Sequence, residues 1–324
     1  MTALNRRQLT VAALGALALG SAQADGAASY PNRPVTLIVP FAAGGGTDVT
    51  MRIIARHFQQ ITGQPMTVEN RPGGGTMVAQ GYLKNQKPDG YTLGTMTRAQ
   101  HVAFHTSKGK VPVHPLDDLT YIAATHGSIF GMVVRADSPF QSLADVVAYA
   151  KAHPGKLSFG NIGAGTGHNL TALEFARLAG IDVLHASFKG EADSNTAAMG
   201  GHVDISVSSG VFIPQVQGGK MKVLGIATTE RLAGFPDWKT LREQGFDIQM
   251  DTSVGIGGPK GMPADVVAKI NEVVRRMTSD PEFKTALMRV WQPVHFIPTA
   301  EYRKAQEQQF DKEKLLMEQH KLIP

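Results

Sequence analysis

Two glycine-rich stretches are the parts of this sequence best suited to holding a small solute. In Val39-Pro40-Phe41-Ala42-Ala43-Gly44-Gly45-Gly46-Thr47-Asp48, three consecutive glycines separate an apolar run from a helix start. Gly44, Gly45 and Gly46 carry no Cβ, so a ligand can approach the backbone closely. The first N–H groups of the following helix lack intrahelical partners and sit at the positive end of its dipole, which suits a carboxylate or a phosphate. A second stretch, Gly163-Ala164-Gly165-Thr166-Gly167-His168-Asn169, repeats the arrangement with short polar side chains at the helix start. The plainer roles are a tight turn for the first and helix capping by Thr166 or Asn169 for the second, and capping can coexist with ligand contact.

Other reactive patterns are weak. The chain has neither a G-x-S-x-G elbow nor an H-E-x-x-H pair. Ser107-Lys108-Gly109-Lys110 satisfies S-x-x-K, but in a polar loop rather than at a helix start, where chance explains it. His101 and His105 have the i, i+4 spacing of helical metal ligands without an accompanying carboxylate, so a packing or surface role is expected. The second glycine stretch lacks the G-x-G-x-x-G spacing, and no G-x-x-x-x-G-K-[ST] occurs, so nucleotide binding is not favoured. Lys189 either contacts a ligand or holds a loop shape. Catalytic residues, a metal and a cofactor are therefore not expected.

The elements that must position the glycines alternate between strand and helix. Val35-Thr36-Leu37-Ile38-Val39 is a short, nearly continuous apolar run, the mark of a buried parallel strand. Thr47 or Asp48 is expected to N-cap a helix carrying Val49, Ile53 and Phe58. Met66-Thr67-Val68 reads as the next strand, before Arg71-Pro72-Gly73-Gly74-Gly75 and another helix, and residues 89–97 turn into a third strand. A second set starts at the strand Met132-Val133-Val134. Ser142 and Asp145 then form a capping-box pattern ahead of Leu143, Val146, Val147 and Ala150. In residues 202–210, Val203, Ile205 and Val207 alternate with Asp204, Ser206 and Ser208. Pro263 starts a helix whose Val266, Ile270, Val273, Val274 and Met277 form one stripe. The polar C-terminal segment, 301–322, reads as a surface helix. Two such sets predict two α/β lobes, each offering a glycine loop at the carboxyl end of a strand, with a cleft between them.

Composition is compatible with this reading. The 324 residues are 42% hydrophobic and 18% charged. Arg6-Arg7, a short apolar stretch and Ala22-Gln23-Ala24 read as a secretory signal peptide over 1–24, cleaved near Ala24, which leaves both Sec and twin-arginine export open. Removing the two arginines lowers the formal charge from +5 to +3, with the remaining basic residues scattered. Nucleic-acid binders cluster such residues and interleave aromatics, so nucleic acid is not an expected partner. With no cysteine, the chain has no disulfide, no thiol nucleophile and no lipid attachment through an N-terminal Cys.

Taken in order, the segments 30–52, 68–75, 88–93, 160–170, 184–207 and 219–245 resemble the Bug-type periplasmic solute-binding proteins of tripartite tricarboxylate transporters, over nearly the whole mature chain. The resemblance implies a periplasmic binding protein architecture: two Rossmann-like lobes joined by a hinge, with 25–124 plus 252–324 as the first and 125–251 as the second. It implies a monomeric, non-enzymatic receptor that captures a small carboxylated solute and delivers it to membrane permease subunits. In this chain the family's first ligand loop corresponds to Phe41, Ala42, Ala43 and Gly44, beside the helix at Asp48. The opposing loop corresponds to Gly165, Thr166, Gly167 and His168, with Thr95, Thr97, Phe188 and Lys189 in further cleft segments.

This chain departs from the family where many relatives carry an aspartate and it carries Ser208. A hydroxyl cannot supply the charge that pairs with an α-ammonium, so a mono- or dicarboxylate without an amino group is expected as ligand. The segment after Gly75 and Phe188-Lys189-Gly190 also depart from the usual pattern. An exported hydrolase or transferase using the same cleft, and a receptor serving a sensor kinase, are the alternatives.

Overall fold

The computed structural model describes residues 30–232, 234–250 and 253–323, so the signal-peptide reading of 1–24 lies outside the described residues. In chain order the first elements are β1 (Val35–Val39), α1 (Gly46–Thr62), β2 (Met66–Asn70), α2 (Met77–Lys84), β3 (Thr92–Met96), α3 (Ala99–Thr106) and β4 (Leu119–His126). There follow β5 (Phe130–Arg135), α4 (Leu143–Ala152), β6 (Ser158–Asn161), α5 (Gly167–Ala179), β7 (Leu184–Ser187), α6 (Glu191–Met199), β8 (Ile205–Ser209), α7 (Ile213–Gln217) and β9 (Met221–Ile226). The chain closes with β10 (Val254–Pro259), α8 (Ala264–Ser279), α9 (Pro281–Met288), β11 (Val294–Ile297) and α10 (Thr299–Gln319). No helix among the described residues is long and apolar enough to cross a membrane.

The strands form two sheets, one per lobe. The first has the order β11-β4-β10-β3-β1-β2 and the second β7-β6-β8-β5-β9. β1 runs parallel to β2 and β3, while β10 pairs antiparallel with β3 and β4. In the second sheet β6 is parallel to β7 and β8, and β5 is antiparallel to β8 and β9. Parallel neighbours require crossover helices, which is why β1 and β6 each run into a turn and a helix. β1 is covered on both faces, and Val35, Leu37, Ile38 and Val39 are all buried.

Local signals place the covering helices. On α1, Met51, Ile54 and Phe58 enter the same core as the α8 stripe Val266, Ile270, Val273, Val274 and Met277. The capping box on α4 forms: Asp145 N–H donates to Ser142 Oγ at 3.2 Å, and Ser142 N–H donates to Asp145 Oδ2 at 2.9 Å. The α1 cap differs from expectation. Gly45 is the N-cap and no side chain caps the helix, because α1 begins at Gly46 and puts Thr47 and Asp48 inside its first turn. On β8 the polar face is buried as fully as the apolar one, since α6 covers it: Ser194 and Ser206 hydroxyls lie 2.7 Å apart and Asn195 donates to Ser208 at 3.1 Å.

The C-terminal helix is not a surface helix. Tyr302, Gln306, Glu313 and Met317 on α10 are buried. Tyr302 packs with Met77, Leu83 and Tyr121 of the first lobe, whereas Met317 packs with Phe130, Leu170 and Phe175 of the second. The polar composition hid this because two of the buried positions are polar and find partners across the interface, Gln306 on Ser253 and Glu313 on Arg98. β4 ends at His126 in the first sheet and β5 starts at Phe130 in the second, so the chain crosses between lobes at 127–129 rather than after 124. The last turns of α10 likewise sit on the second lobe.

This packing makes a direct test of α10 possible. Met317→Ala should cost about 2–4 kcal/mol of unfolding free energy by leaving a cavity under the second lobe. Leu315→Ala, at a side chain 63% exposed, should stay within about 0.5 kcal/mol. Urea unfolding of the two variants measures both, and equal costs would refute the docked helix.

Candidate functional site: a cleft between the lobes

A cavity of about 1120 Å³ opens between the two sheets. From the first lobe it is lined by Phe41, Gly45, Gly46, Thr47 and Thr50, by Gly74 and Gly75, and by Thr97, Arg98, Val102 and Ala103. The second lobe contributes Ile162, Ala164, Thr166, Gly167, His168, Glu191 and Ser209, and the crossing contributes Ser128, flanked by His126 at the end of β4 and Phe130 at the start of β5. The starts of α1 and α5 thus reach one cavity from opposite lobes.

Side chains around each helix start engage the neighbouring backbone donors. Asp48 Oδ2 accepts the Gly44 N–H at 2.9 Å, and its carboxylate also holds Arg52 and the Asn70 amide. Burial would raise the Asp48 carboxyl, but Arg52, the Gly44 N–H and Asn70 together hold it below its ordinary value. At α5, Thr166 Oγ1 accepts the Asn169 N–H at 3.3 Å, and Asn169 Oδ1 accepts the Gly165 N–H at 3.2 Å. What remains is a small set of donors in the first turns. Among the described residues, the N–H groups of Gly46, Thr47, Gly167 and His168 meet no acceptor. Gly167 must lack a side chain, since a Cβ there would stand 2.8 Å from both Arg98 Nη1 and Phe130 Cζ.

Charged groups complete the walls. Arg98 Nε donates to Glu313, and His101 Nδ1 lies 3.4 Å from the other oxygen of that carboxylate. Burial pushes Glu313 upward, but Arg98 and His101 outweigh it and hold the group below its ordinary value. Across the cleft, His168 Nε2 lies 3.1 Å from Glu191 Oε1, and Glu191 also accepts from the Ser209 N–H at 2.7 Å and from the Ser208 hydroxyl at 3.0 Å.

With this geometry in view, the comparisons with known proteins decide the family. The profile described as "Tripartite tricarboxylate transporter family receptor" matches residues 50–322. The "UPF0065 protein in gbd 5'region" of Cupriavidus necator is 34% identical over 308 residues, 95% of this chain and 93% of that protein. The chain belongs to the tripartite tricarboxylate transporter receptor family. Among solved structures, a TctC solute-binding protein from Polaromonas is similar at a TM-score of 0.78 and 26% identity, covering 90% of this chain and 99% of that one. MatC from Rhodopseudomonas palustris, solved with malate, is similar at a TM-score of 0.72 and 28% identity, covering 89% and 99%. The two-lobed architecture expected from the sequence is therefore that of this receptor family.

Within this family member the expected site residues divide. Phe41, Thr97, Thr166, Gly167 and His168 line the cleft. Ala42, Ala43 and Gly44 lie between the lining residues Phe41 and Gly45 without lining the cleft themselves, and the Gly44 N–H is taken by Asp48. Asp48 braces the loop rather than facing the cavity. Thr95 is buried behind the wall, its hydroxyl donating to Ile38 O at 3.0 Å. Gly165 turns toward Met317, where a Cβ would meet Cε at 3.0 Å. Phe188 packs in the second-lobe core and Ser208 lies beneath Glu191. Lys189 is exposed and does not line the cleft.

The acid nearest Ser208 is Glu191 on α6, which accepts the Ser208 hydroxyl and itself lines the cleft. His101 and His105 face α10, His101 toward Glu313 and His105 toward the Phe310 carbonyl at 3.0 Å. Sequence reasoning missed Gly74, Gly75, Arg98, His126 and Glu191 as wall residues. The run Gly73-Gly74-Gly75 after β2 carried the same signal as the first loop, whereas nothing local marked the others.

His126, at the crossing, titrates abnormally. Complete burial pushes it from 6.5 down to about 3. The unfolded chain therefore takes up this proton first, and stability falls as pH drops below about 6.5 until it levels near 3. By pH 5 the loss from this group is about 2 kcal/mol. His126→Asn should remove about that much of the difference in unfolding free energy between pH 7.5 and pH 5. An unchanged difference in denaturant titrations would show that His126 is not buried as a neutral ring.

Proposed function

We propose that this chain is an extracytoplasmic receptor, exported with cleavage near Ala24, that closes its lobes around a small carboxylate and delivers it to a tripartite tricarboxylate-type permease. One observation carries the reading: two helix starts with unmet N–H donors line a single cavity from opposite lobes. A carboxylate accepts several such bonds at once, and charge-assisted bonds are about twice as strong as neutral ones. Backbone donors recognise the acid group itself, and the mainly apolar walls at Phe41, Val102, Ala103, Phe130 and Ile162 then discriminate among the bodies attached to it. The malate bound by MatC and the adipate bound by another R. palustris relative of the same fold support this class of ligand.

Transport follows from differential binding. A ligand contacting both lobes binds the closed form more tightly than the open one and shifts the population toward it. The permease then distinguishes loaded from empty receptor by shape. Glu191 does not favour an α-ammonium in this scheme, because Ser208, Ser209 and His168 already engage its oxygens.

Thermal-shift and calorimetric screening of unfolded-and-refolded mature protein tests the reading. A bound carboxylate at 100 times its Kd should stabilise the fold by about 2.7 kcal/mol. Binding of amino acids with no response to plain carboxylates would overturn the assignment. The helix donor can be removed cleanly with Gly46→Pro. Gly45 already has φ −75° and ψ 163°, the conformation that precedes proline, and a Cβ at Gly46 meets nothing within 4 Å. Affinity should drop about ten- to a hundredfold, as expected for one charge-assisted bond, with the stability of the empty protein nearly unchanged. Unaltered affinity would mean that this N–H does not bind the solute.

A further inference from the structure

The first lobe carries one bulky side chain in a backbone conformation that favours glycine. Just beyond α9, Trp291 N–H donates to Met288 O at 3.1 Å and Gln292 N–H donates to Leu287 O at 3.0 Å. This pair of bonds closes a helix through one residue in the left-handed region, and that residue is usually glycine. Here it is Trp291, at φ 58°. A large side chain is strained there, and such strain persists only where the surroundings hold the residue in place.

The surroundings that hold Trp291 belong to the other lobe. Val290 packs in the first-lobe core with Phe283 and Leu287, whereas Trp291 packs in a second-lobe cluster with Phe212, Phe235 and Trp238. The Trp291 and Phe235 ring centres lie 5.8 Å apart, and Phe235 stacks on Trp238 at 4.0 Å. Backbone also approaches backbone: a Cβ on Gly210, directly after β8, would stand 2.7 Å from both Cβ and the carbonyl oxygen of Trp291. Ordinary core packing accounts for a half-buried ring, but not for a tryptophan in the left-handed region whose preceding residue packs in a different core. A seat supplied by the second lobe accounts for both.

We propose that Trp291 is a clasp between the lobes: seated on Gly210 and the Phe235–Trp238 stack, it holds the solute-free protein at one interlobe angle. The contact lies beside the crossing, where Gly127 N–H donates to Pro293 O at 3.0 Å. A small displacement at Trp291 therefore becomes a larger one at the far ends of the lobes. The crossing at 127–129 and α10 connect the lobes with or without the clasp, so its loss frees the angle without parting them. The inference needs two lobes and no particular solute, and its test is independent of the carboxylate reading.

The chain has no cysteine, so spin labels can be placed at will. Lys87→Cys in the first lobe and Lys151→Cys in the second are exposed positions away from the cleft. Double electron–electron resonance on the refolded, solute-free mature protein then reads the interlobe distance. With Trp291 in place the distribution should be no wider than that of a pair within the second lobe, at Lys151→Cys and Lys220→Cys. Trp291→Gly removes the ring and suits the left-handed turn, so α9 still closes, and the interlobe distribution should at least double in width. Trp291→Asn also tolerates that conformation without the ring and should do the same, which covers an unstable glycine variant. Gly210→Ala forces a methyl between the two backbones from the second lobe and should shift or widen the distribution with Trp291 intact. Cooperative urea unfolding confirms that each variant is folded. The proposal is overturned if the wild-type distribution is already as wide as that of Trp291→Gly, or if both Trp291 variants keep the wild-type distribution. It is equally overturned if Gly210→Ala leaves the distribution unmoved, since the contact would then not carry the angle.

Discussion

Backbone N–H groups at the start of a helix cannot be satisfied by the helix itself, and the arrangement around the cleft answers to that constraint. β1 and β6 each feed a glycine turn that leads into a helix, so each lobe carries one set of unmet donors. Nearby side chains take the outer members of each set: Asp48 accepts from Gly44, and Asn169 accepts from Gly165. Gly46, Thr47, Gly167 and His168, whose N–H groups meet no acceptor among the described residues, line the shared cavity. The braces therefore do more than stabilise loops. They determine which N–H groups remain available, and they hold the backbone in place before a ligand arrives.

The lobes are joined by more than the crossing at 127–129. α10 leaves the first-lobe core at Tyr302 and enters the second-lobe core at Met317, with the Glu313 carboxylate buried between them. A buried ion pair seldom adds net stability, because desolvating two charges offsets their attraction. The Arg98–Glu313 pair is better understood as a device that orients the guanidinium. Its orienting partner comes from a helix seated on both lobes, so the position of that side chain is tied to the interlobe arrangement.

The features of the fold that were readable from the chain share one property: they are local. The apolar run at 35–39, the capping box at Ser142 and Asp145, and the stripe on α8 each follow from spacing within about a dozen residues, and each forms as read. The glycine loops were readable for the same reason. Where the reading failed, the deciding partner was distant in sequence. α10 looked like a surface helix because its buried Glu313 is polar, and its partner Arg98 lies 215 residues away. Around Ser208 the local sequence shows only hydroxyls, while Glu191 reaches the same place from α6.

The sequence by itself therefore determined the two α/β units, the positions of their glycine turns and the kind of group those turns suit, since backbone geometry and helix polarity depend on neighbouring residues. The tertiary structure decided which N–H groups stay free, which face of α10 is buried, and that Arg98, His126 and Glu191 line one cavity. Those outcomes depend on desolvation and on partners supplied across the lobe interface. Neither quantity is encoded in the spacing of residues along the chain.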